Sequence, residues 1–140
     1  MRHLGAQFLA AFLSLTMIAA AKSPFAGTWK GKINDLPAAD LTIEDAGGKL
    51  SGVVVFYFQL RGADGKWSVA NTLTEPLLAL KLDGKNLIFE VSHRNAHPGA
   101  SSDRDPNVKY RLELTSMNEA VMRYINYHPD APPMRLTRQK

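Results

Sequence analysis

The 140-residue chain contains no cysteine. That excludes disulfides, thiolate nucleophiles and sulfur-ligated metal sites, so stability must come from packing and backbone hydrogen bonds. No G-x-S-x-G elbow and no phosphate-cradling glycine loop is present, so no nucleophilic or nucleotide-binding constellation can be assembled from motifs. Tryptophan is scarce: only Trp29 and Trp67 occur, so each needs its own explanation. Charge of one sign is not concentrated either. Lys and Arg number 17 against 13 Asp and Glu, for a formal charge of +4. The cations Lys30, Lys32, Lys49, Lys66, Lys81, Lys85, Lys109, Arg111, Arg135 and Lys140 are scattered, with no basic block and no interleaved aromatics. A nucleic-acid interface is therefore not expected. After the first 21 residues there is no segment with the 3.6-residue apolar period of an amphipathic helix.

What is present begins with a short basic start, Met1-Arg2-His3, and an apolar run from Leu4 to Ile18. Ala19-Ala20-Ala21 then puts small residues ahead of Lys22. This reads as a secretory signal peptide over 1–21, cleaved after Ala21. The run is short for a membrane span of about 20 residues, and no basic stop-transfer cluster follows it. A periplasmic or secreted protein is expected, with no stable membrane insertion after processing. Residues 22–140 then form one domain.

Period-two alternation and turn chemistry dominate that domain. The expected strands are Thr28–Ile33, Asp40–Glu44, Leu50–Arg61, Pro76–Leu82, Leu87–Arg94, Val108–Leu114, Ala120–Tyr127 and Met134–Arg138. Trp67–Thr74 reads equally as a short edge strand or a loop. Asn34-Asp35-Leu36-Pro37, Asp45-Ala46-Gly47-Gly48, Gly62-Ala63-Asp64-Gly65 and Asp83-Gly84 supply the turns. Alternation places Leu78, Leu80 and Leu82 on one face. It likewise groups Leu87, Phe89, Val91 and His93, then Val108, Tyr110, Leu112 and Leu114, and finally Met134, Leu136 and Arg138. Met122 and Tyr124 are assigned inward, with Arg123 outward. Val53–Phe58 is apolar on both faces, and Gly52 is a candidate bend. Residues 95–107 form a long polar loop, a length common in functional loops. Eight short strands joined by hairpins predict an all-β, eight-stranded antiparallel up-and-down barrel.

Gly27-Thr28-Trp29 with an arginine in the last strand resembles the calycin superfamily of lipocalins, fatty-acid-binding proteins and avidins. The resemblance implies that Trp29 plugs one end of the barrel beside Gly27, with the last-strand basic side chain packed across it. Arg138 suits that position better than Arg135 because it shares parity with Leu136. An indole under a guanidinium gains cation–π energy, about 0.5–2 kcal/mol. Asn34-Asp35-Leu36, Leu41-Thr42-Ile43 and Gly48-Lys49-Leu50-Ser51-Gly52 are similar to the opening avidin strands. The alanines Ala38 and Ala39 depart from that pattern. The gap from Ile33 to Leu41 is too short for the two-helix lid of fatty-acid-binding proteins. The phrase from Phe89 to Pro98 resembles one in exported bacterial proteins without an assigned activity.

A barrel interior should be apolar, so inward polar groups direct attention to function. These are His93, Tyr110, Tyr124 and Arg138. The first expectation is a small, partly apolar ligand held in the barrel mouth. Phe56, Phe58, Phe89, Leu112 and Leu114 would line it, and His93, Tyr110 and Arg94 would orient its polar end. The alternatives are an enzyme using His93 with Tyr110 or a loop metal, and a filled barrel whose outer face binds an envelope partner. His93, His97, Asp103 and Asp105 are weak metal candidates with a nitrogen–oxygen donor set. Their bland reading is a solvated polar loop. No cofactor is expected. Glu44, Glu90 and Glu113 face outward, which leaves no paired-carboxylate hydrolase site.

Overall fold

The computed structural model describes residues 21–92 and 107–140. It contains nine strands in one antiparallel sheet. In chain order these are β1 (Gly27–Ile33), β2 (Leu36–Ala46), β3 (Lys49–Arg61), β4 (Trp67–Pro76), β5 (Leu78–Asp83), β6 (Asn86–Val91), β7 (Val108–Leu114), β8 (Glu119–Tyr124) and β9 (Met134–Arg138). Their spatial order is β4-β3-β2-β1-β9-β8-β7-β6-β5, so the first strand of the chain pairs with the last. Trp29 lies opposite Arg138 in that pairing, and Gly31 opposite Leu136. The sheet is curled into a half-barrel.

The strand count differs from the eight expected. The ambiguous segment is a full strand, β4, paired with β3 from Val53↔Pro76 to Arg61↔Trp67. Nine strands in antiparallel succession put β4 and β5 at opposite edges but running in the same direction. Only Leu77 separates them in sequence. They are two halves of one bent stave: the chain leaves β3 at Pro76 and joins β6 from Leu78 onward. No ladder pairs β4 with β5; the chain passes from one edge to the other through Leu77.

Gly52 makes this bend possible. A Cβ there would lie 2.2 Å from the Thr42 carbonyl oxygen and 2.9 Å from a Leu77 methyl. The missing side chain lets Leu77 settle over β3, where its N–H donates to the Gly52 carbonyl at 2.9 Å. Leu77 is buried as a result. Leu78 is not on the face shared by Leu80 and Leu82. A bulge between Leu78 and Lys81, with Ala79 at φ 50°, shifts the register so that Leu78 pairs with Glu90 and Leu82 with Leu87. Glu90 and Leu87 are an odd number of residues apart, so their partners face opposite ways.

Elsewhere the alternation holds. Leu87, Phe89 and Val91 of β6 and Tyr110 and Leu112 of β7 are buried, with Ala120, Met122 and Leu136 from the strands beside them. Trp29, Leu41, Ile43 and Val54 complete the core on the other wall. The Asn34–Asp35 turn joins β1 and β2 with both residues left-handed, φ 56° and 60°. Short polar residues tolerate that region and give the twist a tight hairpin needs. Strand β2 starts immediately after, earlier than alternation alone indicates, because Leu36 already pairs with Ile33.

Candidate functional site

One end of the half-barrel is filled. Trp29 is fully buried, and its indole N–H donates to the Phe25 carbonyl at 2.9 Å. The Arg138 guanidinium carbon lies 4.2 Å from the indole ring centroid. The same guanidinium donates to the carbonyls of Ala26 and Pro24, and through Nε to that of Met117 at 3.0 Å. Gly27 leaves room for it: at φ 133°, a Cβ would lie 2.7 Å from Arg138 Nη1. Phe25 is also buried. Sequence reasoning missed this residue because it precedes the first strand and follows no alternation. Ser23 holds the segment to β2 by donating its N–H to Asp45 at 2.7 Å.

The other end holds a cavity of about 1140 Å³. Its walls come from β1, β2, β3, β4, β6, β7, β8 and β9, and Phe56, Phe58, Tyr110, Met122 and Tyr124 supply much of its apolar surface. Trp67 and Leu73 add the β4 side, and the turn Tyr127–Pro133 contributes Tyr127, His128, Pro132 and Pro133. Aromatic rings connect core to cavity. Phe89 stacks on Tyr110 at 5.5 Å between centroids. Tyr110 in turn meets Phe56 at 6.2 Å and Tyr124 at 5.1 Å. His128 closes the series, edge-on to Tyr124 at 6.2 Å.

Tyr110 is the buried polar group of this wall. Burial pushes its phenol well above the usual tyrosine range, and the Tyr124 hydroxyl adds to the rise through its charge and a hydrogen bond. At neutral pH Tyr110 is therefore a proton donor and not a base. Tyr57 lies on the opposite, outer face of β3. Its hydroxyl donates to Asp40 at 2.7 Å, and that hydrogen bond is the main reason its pKa is also raised.

The sequence-derived residues divide into three groups. Phe56, Tyr110 and Tyr124 come together in the cavity wall, and Phe58 joins them. Tyr124 is half-exposed there, since it borders open space. Phe89 and Leu112 lie fully buried beneath and do not border the cavity. Leu114 packs against the core at the filled end of β7. His93, Arg94, His97, Asp103 and Asp105 lie outside the described residues. Among the described residues no three His, Cys, Asp or Glu side chains cluster in a metal-binding arrangement.

Two polar residues of interest were not found from sequence. Glu75 is buried on the inner face of β4, opposite Val54. Its parity with Leu73 is the signal, visible only once β4 is recognised as a strand. His128 borders the cavity with φ 45°. It sits in a proline-rich turn closed by the Ala131 N–H donating to its carbonyl at 2.8 Å. No helix among the described residues is long and apolar enough to cross a membrane. Comparison with family models, curated proteins and solved structures finds no match to this chain.

Proposed function

We propose that the chain is an exported protein that binds a small, partly apolar molecule at the open end of a calycin-type half-barrel. The observation that carries this reading is the aromatic-walled cavity of about 1140 Å³. Pockets that enclose small ligands run to roughly 300–1,000 Å³, are mostly apolar and carry a few polar groups. Tyr110 and Tyr124 supply such groups: hydroxyls set among Phe56, Phe58 and Met122. The calycin assignment rests on Gly27-Thr28-Trp29 and on the Arg138 guanidinium over the indole. Export rests on the 1–21 segment and is checked by the intact mass of the protein recovered from cells, which should begin at Lys22.

Binding is tested with the neutral fluorophore phenylnaphthylamine, whose emission rises in apolar surroundings, and by native mass spectrometry of the freshly purified protein. Saturable binding at one site is expected. Ala38→Phe puts a ring into the cavity from a buried wall position and should abolish it. If the wild-type protein neither binds the fluorophore nor carries a molecule, the reading fails.

A further inference from the structure

Cations that are scattered along the sequence meet on the outer face of the sheet. Arg111 of β7 and Arg123 of β8 lie directly opposite each other, at about 5 Å between Cβ atoms. Arg135 of β9 pairs with Val121, two residues before Arg123, which makes it the diagonal neighbour of Arg123. Lys32 of β1 and Arg135 are the next residues beyond the Gly31↔Leu136 pair. All four have the parity opposite to the buried Gly31, Tyr110, Leu112, Met122 and Leu136, so they point away from the core, and all four are exposed. Strands β1, β9, β8 and β7 are adjacent, so the row spans about 14 Å. Other cations of this face stand across from an acid: Lys30 opposite Asp40, and Lys109 opposite Glu90. The four do not. Arg111 has Ile88 on its other side, while Glu113 and Glu119 stand opposite Val121 and Thr137. Among the described residues none of the four makes an ion pair or a side-chain hydrogen bond. Like charges directly opposite destabilise a sheet, so an anion held here relieves repulsion as well as pairing with each cation.

We infer that this outer face docks on an anionic phospholipid surface. Three of the four cations are arginines, whose planar fork takes phosphate oxygens two at a time. A row of this width reaches several headgroups at once, whereas a single free ion touches only the Arg111–Arg123 pair. Ile125 follows Arg123 with the same parity and is exposed. It lies beside Lys109, whose carbonyl accepts the Ile125 N–H at 2.9 Å. An apolar side chain among cations suits the boundary between headgroups and acyl chains. The row itself holds no aromatic ring, and so no stacking platform for a nucleic-acid strand. Docking of this kind is peripheral and needs no segment to cross the bilayer. It is independent of what the cavity binds.

The test is cosedimentation of the protein with vesicles of phosphatidylcholine alone, or of phosphatidylcholine mixed with phosphatidylglycerol. Binding to the mixed vesicles only is expected, and added salt should release it. Arg111→Gln with Arg123→Gln should weaken that binding about thirtyfold, from about fivefold per cation at an anionic membrane. Its thermal midpoint should equal or exceed the parent's, because a repelling pair is gone. If it melts lower, Lys32→Gln with Arg135→Gln, which leaves that pair in place, carries the same binding expectation. Lys49→Gln with Lys66→Gln removes the same net charge from the β2–β3 and β3–β4 turns, away from the row, and should leave binding within about twofold. Equal binding to both kinds of vesicle, no binding to either, or equal weakening by the row and turn variants overturns the inference. Retention on immobilised polyglutamate without binding to the mixed vesicles would give the face to an acidic protein and overturn the lipid assignment.

Discussion

Replacing Arg138 by methionine tests what holds the filled end together. The change keeps most of the side-chain volume and removes the charge. It deletes the contact with the Trp29 ring at 4.2 Å, worth about 1 kcal/mol for a half-buried pair. It also removes the donors serving the carbonyls of Ala26, Pro24 and Met117. Those acceptors are partly solvated, so each bond contributes only about 0.5 kcal/mol. The expected loss is about 2–3 kcal/mol, or a fall of roughly 8–12 °C in Tm for a domain of this size. Urea unfolding should show a lower midpoint with an unchanged slope, because the surface exposed on unfolding hardly alters. Arg138→Lys keeps the charge but cannot reach three carbonyls from a planar fork, so it should fall between the two. A methionine variant within about 0.5 kcal/mol of the parent would refute the argument.

Four further outcomes are expected. Gly52→Ala should cost at least about 2 kcal/mol, since its Cβ meets backbone at 2.2 Å; an unchanged thermal melt would mean that the β4–β5 bend does not depend on this approach. Ala79→Gly relieves a left-handed alanine at φ 50° and should raise stability by about 0.5–1 kcal/mol, read from the same melt. Alkaline titration followed by tyrosinate absorbance should show Tyr110 ionising late, because burial raises its pKa. The sign follows: the folded state holds this proton more tightly than the unfolded chain, so the contribution is complete below the unfolded value of 10.0 and drains as pH rises past it. Tyr110→Phe should flatten that alkaline loss, and a variant as alkali-sensitive as the parent would count against the assignment.

Fold class was legible because the evidence for it is local. Leu87, Phe89 and Val91 alternate with Ile88 and Glu90, and Val108, Tyr110 and Leu112 alternate with Lys109 and Arg111. Those strands have one core face and one solvated face. Strand β4 was harder to read because it is an edge: most of Trp67–Pro76 is exposed, so its sequence carries Asn71, Thr72 and Thr74 without a full apolar stripe. Leu78 was misplaced for a different reason. A bulge inverts parity, and nothing in Leu-Ala-Leu-Lys-Leu reveals that Ala79 turns left-handed. The contact of Arg138 with Trp29 was accessible from parity with Leu136, whereas Phe25 under the same indole was not.

The sequence by itself determined the alternation, the turns and therefore which side chains face inward, since the pleat of each strand acts residue by residue. Tertiary structure alone decided which inward residues pack solid and which border space. Phe89 and Phe56 have the same character and the same inward parity, yet one is sealed in the core and the other borders the cavity. The difference arises because a cavity is the volume left over when eight strands curl past one another. That remainder depends on curvature, on the bend at Leu77 and on every wall at once, and no local pattern encodes it.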